Sequence, residues 1–359
     1  MTTHKMTALL DEHRALGARL TDFGGWQMPL QYSGVIAEHT AVRTAAGVFD
    51  VSHLGKLRVG GPDAGEALQR ALTADVVGLE PGRATYSLVL TETGGCIDDV
   101  FAYRLGAQEW LIVPNASNVE AVAEAISEAG AESSDEWDRW SILALQGPTS
   151  MDVFAHAFPN TPVDGLDLHA WAQMDFDGEL GLVARTGYTG ERGVELYVPV
   201  AAAPGVFSRL LDLGAVPAGL GARDTLRLEM GYALYGHEIT TDVNPLEAGL
   251  GWVLAWDTPF RGRDALEKVR ADKPARKLFG IRCTDRGVPR QGYEVNGSEG
   301  ALGALTSGNF SPTLQTGIAL ALGPRELAPV PGDSVTISGR GREIAGVIVK
   351  PPFIEKGKR

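Results

Sequence analysis

Two adjacent carboxylates follow a double glycine in Thr91-Glu-Thr-Gly-Gly-Cys-Ile-Asp-Asp-Val-Phe-Ala-Tyr-Arg-Leu105. A carboxylate can take a proton from a reacting group or stabilise growing positive charge, and it does both better where water is scarce. Thr93-Gly94-Gly95 is a turn signal between two β-rich runs, Tyr86–Leu90 and Ile97–Leu105, so the stretch reads as a hairpin. On an extended strand alternate side chains share a face. Asp99 then falls with Ile97, Phe101, Tyr103 and Leu105, while Asp98 falls with Val100, Ala102 and Arg104. A carboxylate among bulky apolar groups is costly unless it is paired or chemically used. Parity sets Asp99 apart and leaves Asp98 in the company of Arg104. From the residues alone the favoured reading is the plainer one, that either aspartate satisfies backbone amides at the mouth of the turn.

Three other polar positions stand beside Asp99. Glu195, in Gly193-Val-Glu-Leu-Tyr197, shares strand parity with Gly193 and Tyr197, opposite Val194, Leu196 and Val198. A carboxylate there can accept two parallel hydrogen bonds from an amidine-like edge, such as a pterin or guanine ring presents, or can simply face solvent. Arg223 opens a helical stretch, where a cation opposes the helix dipole, so a purely helical reason for it is weak. It reads as an anion or ring-carbonyl contact, or as an ion-pair partner of Asp224 or Glu229. Asn115 ends the run Trp110-Leu-Ile-Val-Pro at a cleft rim, where asparagine is also an ordinary turn residue. His53, beside Ser52 and Leu54, reads as a hydrogen-bonded structural histidine, with catalysis as the alternative. Cys96 reads as a small buried filler in preference to a nucleophile.

Common catalytic frameworks are missing. There is no G-x-S-x-G elbow and no G-x-x-x-x-G-K-[ST] loop. Gly219-Leu-Gly-Ala-Arg-Asp224 puts aspartate where the third glycine of a dinucleotide fingerprint belongs. The seven histidines form no H-x-x-x-H pair, and no metal site is expected.

The elements that must hold these residues are legible in outline. Ser33–Ala46 has helical spacing, with Val35, Ile36, His39, Val42 and Arg43 expected on one face. A helix from Pro62-Asp63 through Leu72, strands near Lys56–Val59, Tyr86–Leu90 and Ile97–Leu105, and a helix over Ser117–Glu128 make a small α+β lobe over about 55–135. Ser141–Pro148 reads as a buried strand. Leu180–Arg185 and Val194–Val198 bracket a glycine-rich loop, and Leu220–Leu234 reads as a helix. The charged segment 268–277, with Pro274, reads as a linker between a catalytic region over 1–267 and a β-barrel over 278–359.

At 359 residues and 44% hydrophobic, the chain can bury a substantial core. A net charge of −13 argues against a general nucleic-acid or membrane-surface binder. The two cysteines, Cys96 and Cys283, make no disulfide or metal framework. No apolar run has membrane-spanning length and Met1–Leu20 has no signal-peptide core, so the expected setting is cytoplasmic.

One ordered set of motifs carries a resemblance. Phe23-Gly-Gly-Trp26, Val51-Ser-His53, Gly94-Gly-Cys-Ile-Asp-Asp99, Leu145-Gln-Gly-Pro148, Arg185-Thr-Gly-Tyr-Thr-Gly-Glu191, Gly221-Ala-Arg-Asp-Thr-Leu-Arg-Leu-Glu229 and Thr306-Ser-Gly308 together resemble the glycine cleavage system T-protein family. These are tetrahydrofolate-dependent aminomethyltransferases, and the resemblance runs from about Leu16 to Phe353. It implies an α+β fold: a three-lobed cloverleaf around a central folate cavity, with a C-terminal β-barrel. By resemblance Asp99 is the catalytic aspartate, which leaves Asp98 as a structural partner of Arg104, and Glu195 and Arg223 are folate-binding. Val113, Asn115, Tyr188, Tyr235 and Trp252 match or neighbour cavity-lining positions.

The implied substrate is an aminomethyl group on the lipoyl arm of a partner, the H-protein. Tetrahydrofolate is the one-carbon acceptor, and the decarboxylating and lipoamide dehydrogenase components are functional associates. Leu54 stands where the family usually has methionine, and the tail Pro351–Arg359 lacks the terminal tyrosine of some members. Iron–sulfur assembly relatives carry a Lys-Gly-Cys-Tyr-x-Gly loop. Here the matching loop is Arg185-Thr-Gly-Tyr-Thr-Gly190, without cysteine.

Overall fold

A computed structural model describes residues 4–161, 163 and 165–355. The end of the C-terminal tail, 356–359, lies outside them. Three sheets and a closed barrel, with helices between, make the mixed α+β architecture.

The central sheet has six strands in the order Trp171–Phe176, Glu179–Ala184, Gly193–Pro199, Trp140–Gln146, Gly47–Asp50 and Val216–Pro217. All its pairings are antiparallel except the last, where Val216 runs parallel beside Gly47. Its two middle strands are buried on both faces, which explains their nearly unbroken apolar run. Val194, Leu196 and Val198 pack with Phe154 and Phe207 on one face, while Tyr197 joins Phe49, Ile142 and Tyr103 on the other. Each fully buried Val or Leu contributes about 1.5–3 kcal/mol by leaving water. That alternation turns Glu195 away from the larger core.

The second sheet carries the aspartates. Its order is Ala84–Leu90, Cys96–Gly106, Glu109–Val113, Leu57–Gly60 and Ser133–Asp135, backed by helices Ala64–Ala71 and Val119–Glu128. Asp99 and Phe101 point together, but Ile97 does not join them. Val89 pairs with Asp98 and Leu90 with Cys96, so Ile97 is the extra residue of a bulge. It packs instead with Val100 and Ala102. A bulge shifts side-chain parity by one, which plain alternation cannot anticipate.

The glycines before it have separate jobs. Gly94 has φ +88°, and a Cβ on Gly95 would sit 1.8 Å from the Thr241 carbonyl. The turn is thereby pressed against the segment that receives Cys96 N at the Thr240 and Val243 carbonyls, 2.9 and 3.2 Å away.

A three-stranded sheet of Lys5–Met6, Trp26–Gln31 and Arg19–Phe23 completes the N-terminal side. The helix expected over 33–46 spans Val35–Thr44, with a rotated buried face. Glu38, His39 and Val42 are buried, whereas Ile36 is 56% exposed. The Glu38 carboxylate accepts from Tyr32 N, Gly34 N and Gly219 N at 2.6–2.9 Å, which draws that face inward.

The helix expected over 220–234 ends at Glu229. Gly231 takes φ +66°, while Gly231 N and Tyr232 N return to the Leu228 and Arg227 carbonyls at 2.9 and 3.0 Å. That is a glycine-terminated helix stop.

The barrel closes through Arg276–Cys283, Thr316–Pro324, Gly300–Ser311, Glu294–Gly297, Ser334–Gly339 and Arg342–Val349. Alternate residues such as Phe279, Ile281, Ile337 and Ile348 fill it. Residues 268–277, read from sequence as a linker, hold the end of the helix Arg263–Asp272, a short connection, and the first residues of the barrel strand Arg276–Cys283. The barrel is fastened through Glu229. Its carboxylate meets Ser311 Oγ at 2.5 Å, Thr313 Oγ1 at 3.0 Å, His39 Nε2 at 3.2 Å and Arg43 Nε at 3.0 Å. No described helix is long and apolar enough to cross a membrane.

Candidate functional site

The sheets, the helix Leu220–Glu229 and the barrel enclose a cavity of about 890 Å³. Small-molecule sites run to roughly 300–1,000 Å³. The second sheet contributes Tyr86, Asp99 and Val113, and the central sheet Glu195 and Tyr197. The helix contributes Arg223 and Asp224, and the barrel Asn309. Asp99, Glu195, Arg223, Asn115, Tyr188, Val113 and Trp252 therefore share one wall system. Tyr235 does not line it. That ring packs with Leu88, Leu90 and Cys96, where the Tyr235–Ile239 bridge turns the chain away.

Asp99 is held by two donors. Tyr86 Oη donates to its Oδ2 at 3.1 Å, and Asn115 Nδ2 donates to its Oδ1 at 2.9 Å. Burial pushes its pKa upward; the Tyr86 and Asn115 hydrogen bonds and the Arg223 charge pull back. Its remaining accessible surface opens onto the cavity. The result is a basic carboxylate aimed at the enclosed space.

Asp98 has different partners from the one expected. It is fully buried and accepts from Asn115 N, Asn115 Nδ2 and Asn118 Nδ2 at 2.7–2.8 Å. Burial and the neighbouring Asp99 charge push its pKa up. Arg104 is no partner to it. Its guanidinium donates to the carbonyls of Val77, Leu79, Gly106 and Ala107 and lies over Trp110. The local twist at a second bulge, between Arg104 and Gly106, accompanies that departure.

Across the cavity Thr186 Oγ1 donates to Glu195 Oε2 at 2.5 Å. Burial raises the Glu195 pKa, opposed by that hydrogen bond and by Arg223. Arg223 lies over the Tyr188 ring at 4.8 Å, and Tyr188 Oη donates to the Ala233 carbonyl. Nη1 of Arg223 is buried and unpartnered among the described residues. Leaving such a donor unmade costs about 1–3 kcal/mol, more for a charged group, so the site fits a ligand that brings an acceptor. Gln146 braces the glycine-rich loop, donating to Thr186 O at 3.2 Å and accepting from Thr189 Oγ1 at 2.8 Å. At the mouth Trp252 is 71% exposed yet stacks on Tyr86 at 5.8 Å.

Sequence reasoning missed Tyr86, which pairs directly opposite Phe101 and so shares the face of Asp99. The hairpin register contained that signal. His53 differs from its expected structural role: it lines the cavity, and its Nδ1 has no hydrogen-bond partner among the described residues. The described residues include no group of three or more His, Cys, Asp or Glu arranged to hold a metal ion.

The GCVT N-terminal domain family matches residues 9–258, and the glycine cleavage T-protein C-terminal barrel domain matches 276–355. An aminomethyltransferase of Mycobacterium leprae is 45% identical over 355 residues, covering 97% of this chain and 96% of the relative. One from Halothermothrix orenii is 44% identical, covering 98% and 100%. The crystal structure of glycine cleavage system aminomethyltransferase T from Bartonella henselae superposes with a TM-score of 0.92 at 33% identity, covering 98% of each chain.

Proposed function

The chain belongs to the glycine cleavage T-protein family and is an aminomethyltransferase, and from that premise we propose that its reaction runs in the cavity beside Asp99. The family transfers the methylene carbon of an aminomethyl group to tetrahydrofolate with release of ammonia. The finer reading is that the aminomethyl group arrives on the lipoyl arm of an H-protein in the cytoplasm, alongside the decarboxylating and lipoamide dehydrogenase components.

The chemistry sets what the residues must do. Aminomethyl sulfide plus two folate N–H groups become thiol, ammonia and a methylene bridge, so two protons leave folate nitrogen. Tetrahydrofolate supplies the nucleophilic nitrogen when bound. Asp99 accepts a proton from that side and stabilises positive charge growing at the migrating carbon, and its raised pKa suits a base. Tyr86 and Asn115 fix the carboxylate, so little orientation is lost at the reacting moment. Glu195 grips the amidine edge of the pterin, and Arg223, with its unpartnered Nη1, takes a carbonyl or carboxylate oxygen. Tyr188, Val113 and Trp252 supply walls.

The observation that carries this reading is the clustering of Asp99, Glu195 and Arg223 on one cavity. The test is ammonia release from aminomethylated H-protein with tetrahydrofolate. The unaltered chain turns over, and Asp99→Asn keeps folate affinity while losing about 10²–10⁴ in rate. Near-normal turnover by Asp99→Asn removes the assignment.

A further inference from the structure

The loop Val51–Gly55 is braced at its backbone, yet Nδ1 of the imidazole it carries has no partner among the described residues. Ser52 N donates to Asp50 Oδ1 at 2.9 Å, and Ser52 Oγ accepts from Ile142 N at 3.0 Å. Leu54 N reaches Val51 O at 3.1 Å, and Gly55 N reaches Pro114 O at 2.9 Å. The carbonyls on either side of His53, those of Ser52 and Leu54, are both taken by Lys56 Nζ, at 2.7 and 2.9 Å. Trp137 Nε1 donates to the second at 2.7 Å.

Lys56 is wholly buried, and burial pulls its pKa down to about 7. Burying an ammonium to hold two loop carbonyls is costly. Such an outlay on one loop directs attention to what the loop presents.

It presents His53. The ring is 3% exposed, lies edge-on to Phe23 at 5.3 Å and lines the cavity. Its Nδ1 is sealed and has no partner among the described residues. The usual reason for a buried histidine, a hydrogen bond within the protein, is therefore missing. Burial first, then the Arg223 charge, pushes its pKa down to about 3, so the ring is neutral and carries one N–H. Buried N–H groups without acceptors are rarer than unmet acceptors. The proton accordingly belongs on Nε2, the nitrogen left to meet a ligand, with the sealed Nδ1 holding only a lone pair. Arg223, close enough to depress that ring, has its own unpartnered Nη1.

We propose that His53 is a substrate-binding residue: the loop clasped by Lys56 aims Nε2–H at a carbonyl or carboxylate oxygen of bound folate, on the same side as Arg223. The assignment rests on the proposed function for the identity of the ligand. His53 touches substrate; Lys56 is a positioning residue that acts through it.

The test is calorimetric binding of tetrahydrofolate to the full-length chain, with melting temperature measured alongside. His53→Phe keeps a planar ring and removes the donor; affinity falls about five- to tenfold while the melting temperature holds or rises. His53→Gln places an amide N–H near the reach of Nε2 and recovers affinity to within about twofold, whereas His53→Asn, whose amide sits nearer Nδ1, does not. Lys56→Met weakens binding a fewfold, and adding it to His53→Phe costs nothing more, as expected of two residues acting through one contact.

Unchanged affinity in His53→Phe, equal behaviour of Gln and Asn, or a fall in affinity matched by a fall in melting temperature overturns the proposal. If the unaltered chain turns over and His53→Phe binds equally well, only this inference is lost. If the unaltered chain neither binds tetrahydrofolate nor turns over, the proposed function falls with it.

Discussion

The Tyr86 hydroxyl donates to Oδ2 of Asp99 at 3.1 Å, joining neighbouring strands of one hairpin across the cavity wall. The contact favours the ionised carboxylate against the burial that raises its pKa. If the ionised form is the active one, activity falls as pH drops through that raised value. The acid limb of kcat/KM then lies above the ordinary carboxylate range. Tyr86→Phe removes a contact that lowers the pKa, so the limb moves further to alkaline pH. A limb that stays in place, or moves to acid, excludes Asp99 as the titrating base.

Asn115 shares one amide nitrogen between two acids, at 2.8 Å from Asp98 Oδ1 and 2.9 Å from Asp99 Oδ1. Asn115→Ala leaves two adjacent carboxylates to repel each other with less compensation. Turnover is expected to fall about 10- to 100-fold, with stability lower by about 1–3 kcal/mol because Asp98 is fully buried. Urea unfolding and steady-state rates measured on one preparation separate the two effects. A loss of stability with full activity would leave Asn115 a purely structural brace.

Glu195→Gln should act in opposite directions on stability and affinity. The folded carboxyl has a raised pKa, so its ionised form destabilises the empty protein at any pH above the unfolded value. A neutral amide removes that penalty, and the melting temperature at pH 8 rises. Folate affinity falls about 10- to 100-fold, because a charge-assisted pair of hydrogen bonds is lost. Thermal melts with and without tetrahydrofolate read both signs, and a variant that binds as tightly as the parent rules out the pterin contact.

Glu229 is the reverse case. Its pKa is pulled down from 4.5 to about 2, with His39, Ser311 and Arg43 overcoming burial. A depressed carboxyl contributes stability above its unfolded pKa and loses it as pH falls through the folded one. The contribution, on the order of 3 kcal/mol, is present at pH 7 and fades from about pH 5 towards pH 2. Glu229→Gln should show the loss at pH 7 and a flatter dependence below pH 5 by chemical denaturation. Equal stability of the two proteins at pH 7 would refute this account of the fastening.

Much of the site is legible in the sequence. Strand alternation separated Asp99 from Asp98 and Glu195 from Val194 and Leu196, because a period of two survives wherever the ladder is regular. It failed at Ile97, where a bulge inserts one residue, and for Arg104, whose partners are carbonyls brought from distant loops. The helical spacing over 220–234 overruns the helix, whose end Gly231 marks. The resemblance puts Tyr235 at or beside the cavity, and the local turn of the chain sends it to another core. His53 could not have been judged from the chain. What distinguishes it is the lack of a partner, and that shows only when everything around it is in place.

The barrel strand Gly300–Ser311 gives Asn309 to the cavity, where it donates to Asp224 Oδ2 at 2.9 Å, and Ser311 to the Glu229 carboxylate at the C-terminal end of the same helix. The consequence concerns inheritance of parts. A barrel borrowed from a cousin would bring its own strand ending, and that ending decides how the helix bearing Arg223 is seated. Chimeras joined near residue 275 are expected to fail at this seam even when each half folds. Barrel and helix thus act as a matched pair and not as interchangeable cassettes.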